Sequence, residues 1–199
     1  YITLAHSTSN RLSDSSYDSN HQWQGLSPFG KEVVAEMNRL GIMVDVSHLS
    51  DAATAQAVEL SRVPVIASHS GLRHFTPGFE RNLSDELAKA IAAKGGVVQI
   101  VFGTGFVNPQ AAADLQAKFV ANAAFHARNA AATQAGKPLE DKDAFDAEWN
   151  RTHPTPRTSI DAVVDQIDYG VKLIGIDHIG IGSDFDGVGG KLPEGLRNV

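Results

Sequence analysis

Five short apolar runs punctuate the chain: YITLAHS at residues 1–7, IMVDVS at 42–47, VPVIAS at 63–68, VVQIVF at 97–102 and DHIGIGSD at 177–184. Each is rich in Val and Ile, too short for a core helix and bounded by polar or Gly-containing turns, which predicts buried strands. The segments between them have helical spacing. In SPFGKEVVAEMNRLG, Val33, Val34, Met37 and Leu40 share a face, Ser27 is the expected N-cap, Pro28 the first helical residue and Gly41 the stop. SDAATAQAVELS predicts a second helix from a Ser50 cap to near Ser61. NLSDELAKAIAAKGG predicts a third, capped by Asn82 or Ser84 and stopped at Gly95-Gly96. TSIDAVVDQIDYGVKLIG predicts an amphipathic fourth, capped by Thr158 or Ser159.

Near-continuous apolar strands alternating with amphipathic helices predict a parallel sheet covered by helices, an α/β fold. Two stretches break the alternation. Residues 7–27 are rich in Ser, Asn and Asp with no period, the kind of long loop that is usually functional or disordered. Residues 110–150 are Ala-rich and charged, predicting a long helix, a break at Gly136-Lys137-Pro138 and more helix. The whole of about 108–156 is expected to be a helical insertion into a single domain spanning 1–199.

Polar residues gather just past the predicted strands: His6, His48, His69 and Asp184. Strand carboxyl ends are where parallel α/β folds place their sites. One histidine at a strand end is as a rule a capping or core imidazole. Two, on consecutive parallel strands about 4.8 Å apart, are placed to converge on one ion, since neutral imidazole is the commonest metal ligand.

Composition narrows the chemistry. With no Cys among 199 residues, disulfides and thiolate metal sites are excluded, leaving His, Asp and Glu as ligands. A net charge of −6 and the lack of a basic run argue against nucleic acid as a partner. No run approaches the roughly 20 apolar residues of a membrane span, and no signal peptide is visible. The chain begins at Tyr1, inside a predicted strand, so targeting information is open: periplasmic, secreted and cytoplasmic locations all fit, and so does a homodimer.

Three further candidates stand out. Arg81, before the third helix, is either a solvated arginine or a fork for a substrate carboxylate. Asp184 is a candidate for acid–base work, whereas Asp186-Gly187 reads as a turn. His21, His74, His126, His153 and His178 lack a matching context and are set aside. Gly103–Phe106, GTGF, has neither the spacing nor the lysine of a phosphate loop.

GLSPFGKEVVAEMNRLGIMVDVSHLS, PVIASHSG, RNLSDE and GIGSDFDGV…PEGL, in this order along nearly the whole chain, resemble the membrane dipeptidase family, peptidase family M19, in its bacterial form. The resemblance implies a (β/α)8 TIM-barrel metallo-hydrolase that uses two zinc ions to hydrolyse dipeptides, D-residues at the C-terminal position included. It implies that His48 and His69 bind the second zinc, that His6 contacts substrate and helps stabilise the tetrahedral intermediate, and that Arg81 holds the substrate carboxylate. Asp184 would contact substrate too, holding the free amine or shuttling a proton. Phe106 falls where some relatives carry a tyrosine. The family's His-x-Asp motif and bridging glutamate are absent, so the chain is expected to be a piece of such a barrel, lacking its first strands and its closing segment. Two other readings stay open on that ground: an inactive fragment or homologue acting as a binding or structural module, and another metal-dependent amidohydrolase.

Overall fold

A computed structural model describes residues 1–196. Five parallel strands, β1 (Ile2–Thr3), β2 (Val44–Asp45), β3 (Ile66–Ser70), β4 (Val97–Ile100) and β5 (Ile179–Ile181), form one sheet. They lie in chain order, β1-β2-β3-β4-β5. That order has no reversal, so every crossover runs the same way and the helices fall on one face. This is an arc of a barrel, not a doubly wound sheet, in which the order turns back on itself. The helices follow suit: α1 (Pro28–Leu40) packs on α2 (Asp51–Leu60), α2 on α3 (Asp85–Ala93), and α3 on α6 (Asp161–Ile174).

The helix boundaries follow from capping chemistry. Ser27, Ser50 and Ser84 cap α1, α2 and α3, each accepting from a backbone N–H three residues on. Gly41 ends α1 at φ 74°, a left-handed conformation that glycine adopts without cost. The expectation for α6 is corrected. Its N-cap is Ile160, with no side-chain cap bond, and the Ser159 hydroxyl bonds the Asp161 carboxylate instead.

Four of the strands are shorter than their apolar runs, whereas β3 continues through Ser68, His69 and Ser70 and so carries a candidate site residue within the ladder. Along β2 the side chains alternate. Val44 and Val46 join the core under the helices, with Leu4, Ala67, Val98 and Ile100, while Asp45 joins Thr3 and Ser68 on the other face. The long Ala-rich stretch forms α4 (Pro109–Gln134) and α5 (Lys142–Thr152), separated by a turn at Gly136. A second apolar cluster ties α4 to the sheet: Tyr17, Phe79, Val101, Phe106 and Ala112, with Leu115, Phe119 and Val188 against it.

The polar stretch 7–27 is ordered by its own hydrogen bonds. The buried Asp14 carboxylate accepts from the N–H groups of Trp23 and Gly25, and Asp14's own backbone bonds Gly25 and Ser50. The loop thereby lies over the carboxyl ends of β1 and β2 and delivers Tyr17 to the second cluster.

Candidate metal centre and substrate cavity

His48 and His69 are brought together. Their Nε2 atoms stand 2.9 Å apart. Both leave regular strand geometry to meet: His48 has φ 70°, and the β3–β4 register shifts between Ala67 and Ser70, around His69. A β-bulge re-aims side chains in this way, and a non-Gly residue at positive φ stores strain that functional sites hold.

A chain of hydrogen bonds fixes the His69 ring. Asp45, fully buried, accepts from the Thr3 hydroxyl at 2.6 Å, the Ser47 and Ser68 amides at 3.0 Å, and the Ser68 hydroxyl at 2.6 Å. Having donated to Asp45, Ser68 Oγ can only accept from His69 Nδ1, 2.8 Å away. The proton therefore sits on Nδ1, and the Nε2 lone pair faces His48. Metal-binding histidines are held by such outer hydrogen bonds. Burial, with Arg81 next in importance, pushes both imidazoles below the usual histidine range, His69 to about 4. Neutral rings are the form that ligates metal. At 2.9 Å the two Nε2 atoms are at hydrogen-bond distance from each other, and two nitrogens on one tetrahedral centre at ordinary bond lengths stand about 3.3 Å apart, so a small parting of the rings would admit a shared ion. His48 Nδ1 is buried without a partner among the described residues. No group of three or more His, Asp or Glu side chains that could hold a metal occurs among the described residues.

His6 stacks on His48 with ring centroids 3.9 Å apart. Arg81 is 2% exposed. Its guanidinium donates to Ser70 Oγ at 3.0 Å and to the His69 carbonyl at 2.8 Å, and lies 5.3 Å from the Phe106 ring centre. Its Nε has no partner, and it makes no ion pair among the described residues. Burial lowers its pKa, while Tyr17 and Asp184 nearby oppose that. Asp184 lies three residues past β5, in the left-handed region at φ 57°, not at the strand end itself. Burial raises its pKa, against the pull of Arg81. A Cβ on Gly187 would fall 2.2 Å from the Asp184 carboxylate, so any side chain there would push that carboxylate from its place. Asp186 is exposed.

His6, His48, Arg81 and Asp184 thus line one cavity, and His69 abuts it through His48. Tyr17, Lys118, Trp149 and His153 also line it. His153, set aside on sequence, is among them, stacked on Trp149 at 3.9 Å. The other four histidines lie outside it: His178 bonds the Gly96 carbonyl and His74 stacks on Tyr169. Tyr17 gave no signal in its polar loop. Asp45 did give one, as a charge inside an apolar strand.

The family model of membrane dipeptidases, peptidase family M19, matches residues 1–199. The chain belongs to this family. An uncharacterized dipeptidase of Schizosaccharomyces pombe is 33% identical over all of this chain and 38% of its own length. Dipeptidase 3 of Rattus norvegicus is 30% identical over all of this chain and 32% of its own. The M19 chain thus spans well under half the length of these curated relatives. The crystal structure of the probable dipeptidase PvdM from Pseudomonas aeruginosa superposes with a TM-score of 0.69 at 30% identity, over 92% of this chain and 50% of that one. A metallo peptidase from Rhodobacter sphaeroides, liganded with a phosphinate mimic of the dipeptide L-Ala-D-Ala, shares the fold at TM-score 0.69 and 24% identity. The α/β arc is therefore a segment of the M19 barrel. No helix among the described residues is long and apolar enough to cross a membrane.

Proposed function

We propose that this chain carries the carboxylate-binding residues and a pair of metal ligands of a zinc dipeptidase. Its substrates would be dipeptides with a free C-terminal carboxylate, D-residues at that position included. The observation that carries the reading is Arg81. A buried guanidinium with unspent donors and no ion pair among the described residues, lining a cavity beside two converging imidazoles, calls for an anionic ligand. A dipeptide supplies that anion one residue from its scissile bond.

His48 and His69 would hold one zinc of a pair, through Nε2. What zinc supplies when bound is Lewis acidity toward the carbonyl and an activated water. The chain's own residues do the rest. Arg81 clamps the carboxylate and fixes the register of the short substrate. His6, on the exposed side of His48, donates to the carbonyl oxygen as it gains charge. Asp184 accepts from the free amine or carries a proton to the leaving nitrogen, and its raised pKa keeps it closer to neutrality for that transfer. Tyr17 buttresses Arg81, whose guanidinium stands beside its hydroxyl.

The test is a panel of dipeptides, with their C-terminal amides as controls, given to the protein carrying this chain at full length and supplied with zinc. Release of free amino acids from the acids and not the amides is expected. No release from any dipeptide would overturn the reading.

A further inference from the structure

The cavity runs beyond the histidines onto α4 and α5. Leu115 and Phe119 of α4 and Trp149 of α5 line its wall, together with Phe106 and Val188. That wall adjoins the Arg81 end. Tyr17, beside the guanidinium, stacks on Phe119 with ring centroids 3.7 Å apart and planes 15° from parallel. Phe106 lies against Arg81, and in the same turn a Cβ on Gly105 would come within 3.1 Å of Leu115 Cδ2. A residue held by its carboxylate at Arg81 therefore has the apolar surface of α4 beside its own side chain.

The wall carries a cation, Lys118, but its charge is already met. Its Nζ is 2.5 Å from the Asp146 carboxylate and 4.9 and 5.3 Å from the ring centres of Phe145 and Trp149. Asp146 is also bonded by Lys142. The two helices are pinned to each other by this network, so Leu115, Phe119 and Trp149 form a built surface. With Lys118 engaged and the lining Asp114 bonded by Gln110, what Leu115, Phe119 and Trp149 offer a ligand is aliphatic and aromatic.

We propose that this wall is the subsite for the side chain of the substrate's C-terminal residue, and that it selects large apolar side chains, aromatic above all. The proposal rests on the dipeptidase reading and adds to it the class of substrate. A benzyl or isobutyl group would cover Leu115 and Phe119 and remove their surface from water, whereas a methyl group leaves them wet.

The experiment compares Gly-Ala, Gly-Phe and Gly-Lys with the full-length protein. Affinity is read by calorimetry on chelator-treated protein, and kcat/KM is read with zinc present. Gly-Phe is expected to exceed Gly-Ala by about tenfold or more in both. Leu115→Asp places a carboxylate in the wall and is expected to turn the preference toward Gly-Lys, a swap that mere loss of structure does not produce. Should that variant fail to fold, Leu115→Ala is expected to shrink the Gly-Phe to Gly-Ala ratio. Equal values for Gly-Phe and Gly-Ala in the wild type, with Gly-Ala still hydrolysed, overturn the subsite alone. So does a ratio that neither variant moves. Failure of all three dipeptides to bind or turn over overturns the dipeptidase reading, and the subsite with it.

Discussion

His48 and His69 present their Nε2 atoms to each other at 2.9 Å, across the ends of two neighbouring strands. They are held unequally. His69 is anchored through Ser68 to the buried Asp45, whereas His48 Nδ1 has no partner among the described residues. The pair thus has one ring whose tautomer is fixed and one whose tautomer follows whatever occupies the space between them.

Ser68→Ala tests that asymmetry. It removes the acceptor of His69 Nδ1–H and one of the donors to Asp45. Zinc affinity at this pair is expected to fall by about 10–100-fold, the usual cost of losing an outer-shell partner. Competition against a chromogenic chelator measures it. An unchanged affinity in a folded variant sinks the role given to Ser68.

Asp14→Ala addresses the loop. Its carboxylate is fully buried and takes the amides of Trp23 and Gly25. Truncation strands two donors, so unfolding free energy should drop by about 2 kcal/mol or more. Urea denaturation reads this directly. A midpoint equal to wild type would mean that the loop is held by other contacts.

The strand–helix alternation was legible because it rests on local chemistry. Serine caps, the Gly41 stop and the Val/Ile runs each act within a few residues. His6, His48, His69 and Asp184 were legible as candidates for a related reason: polar residues at the ends of apolar runs stand out, whereas Arg81, before the third helix, was legible as a carboxylate fork chiefly through the family resemblance. The loop at 7–27 was not, because its order comes from Asp14 reaching residues nine and eleven positions on, a pattern with no period. Tyr17 was missed because contacts across 99 residues or more, such as that with Phe119, bring it to the cavity, and His153 because its stacking on Trp149 faces the cavity only once α5 is folded against α4. Ser68 and Asp45 become a relay only when two strands are laid side by side in register.

Tyr17 should titrate abnormally. Burial is the main reason its hydroxyl is pushed up to about 12, and Asp184 adds to it. The neutral phenol is favoured in the fold. Its contribution to stability is therefore present below the ordinary tyrosine value near 10 and is lost as pH rises from there through about 12. The phenolate absorbance difference between wild type and Tyr17→Phe is expected to develop near pH 12. A difference already complete at pH 10 would show Tyr17 in contact with solvent.

Arg81 gives the sharpest separation between a carboxylate clamp and a structural arginine. Its donors to Ser70 Oγ and the His69 carbonyl are structural whatever binds nearby. Its remaining N–H groups are the ones left for a ligand. Arg81→Ala removes both sets, so activity loss alone decides nothing. The comparison that decides is between a dipeptide and its C-terminal amide in the same variant. If the guanidinium binds the carboxylate, wild type should prefer the acid, and Arg81→Ala should cost the acid about a hundredfold in kcat/KM while the amide changes far less. Arg81→Lys keeps the charge but not the planar fork, and should fall between the two. Equal losses for acid and amide would assign Arg81 to holding β3 and the His69 carbonyl in place, and would leave the carboxylate to be bound elsewhere.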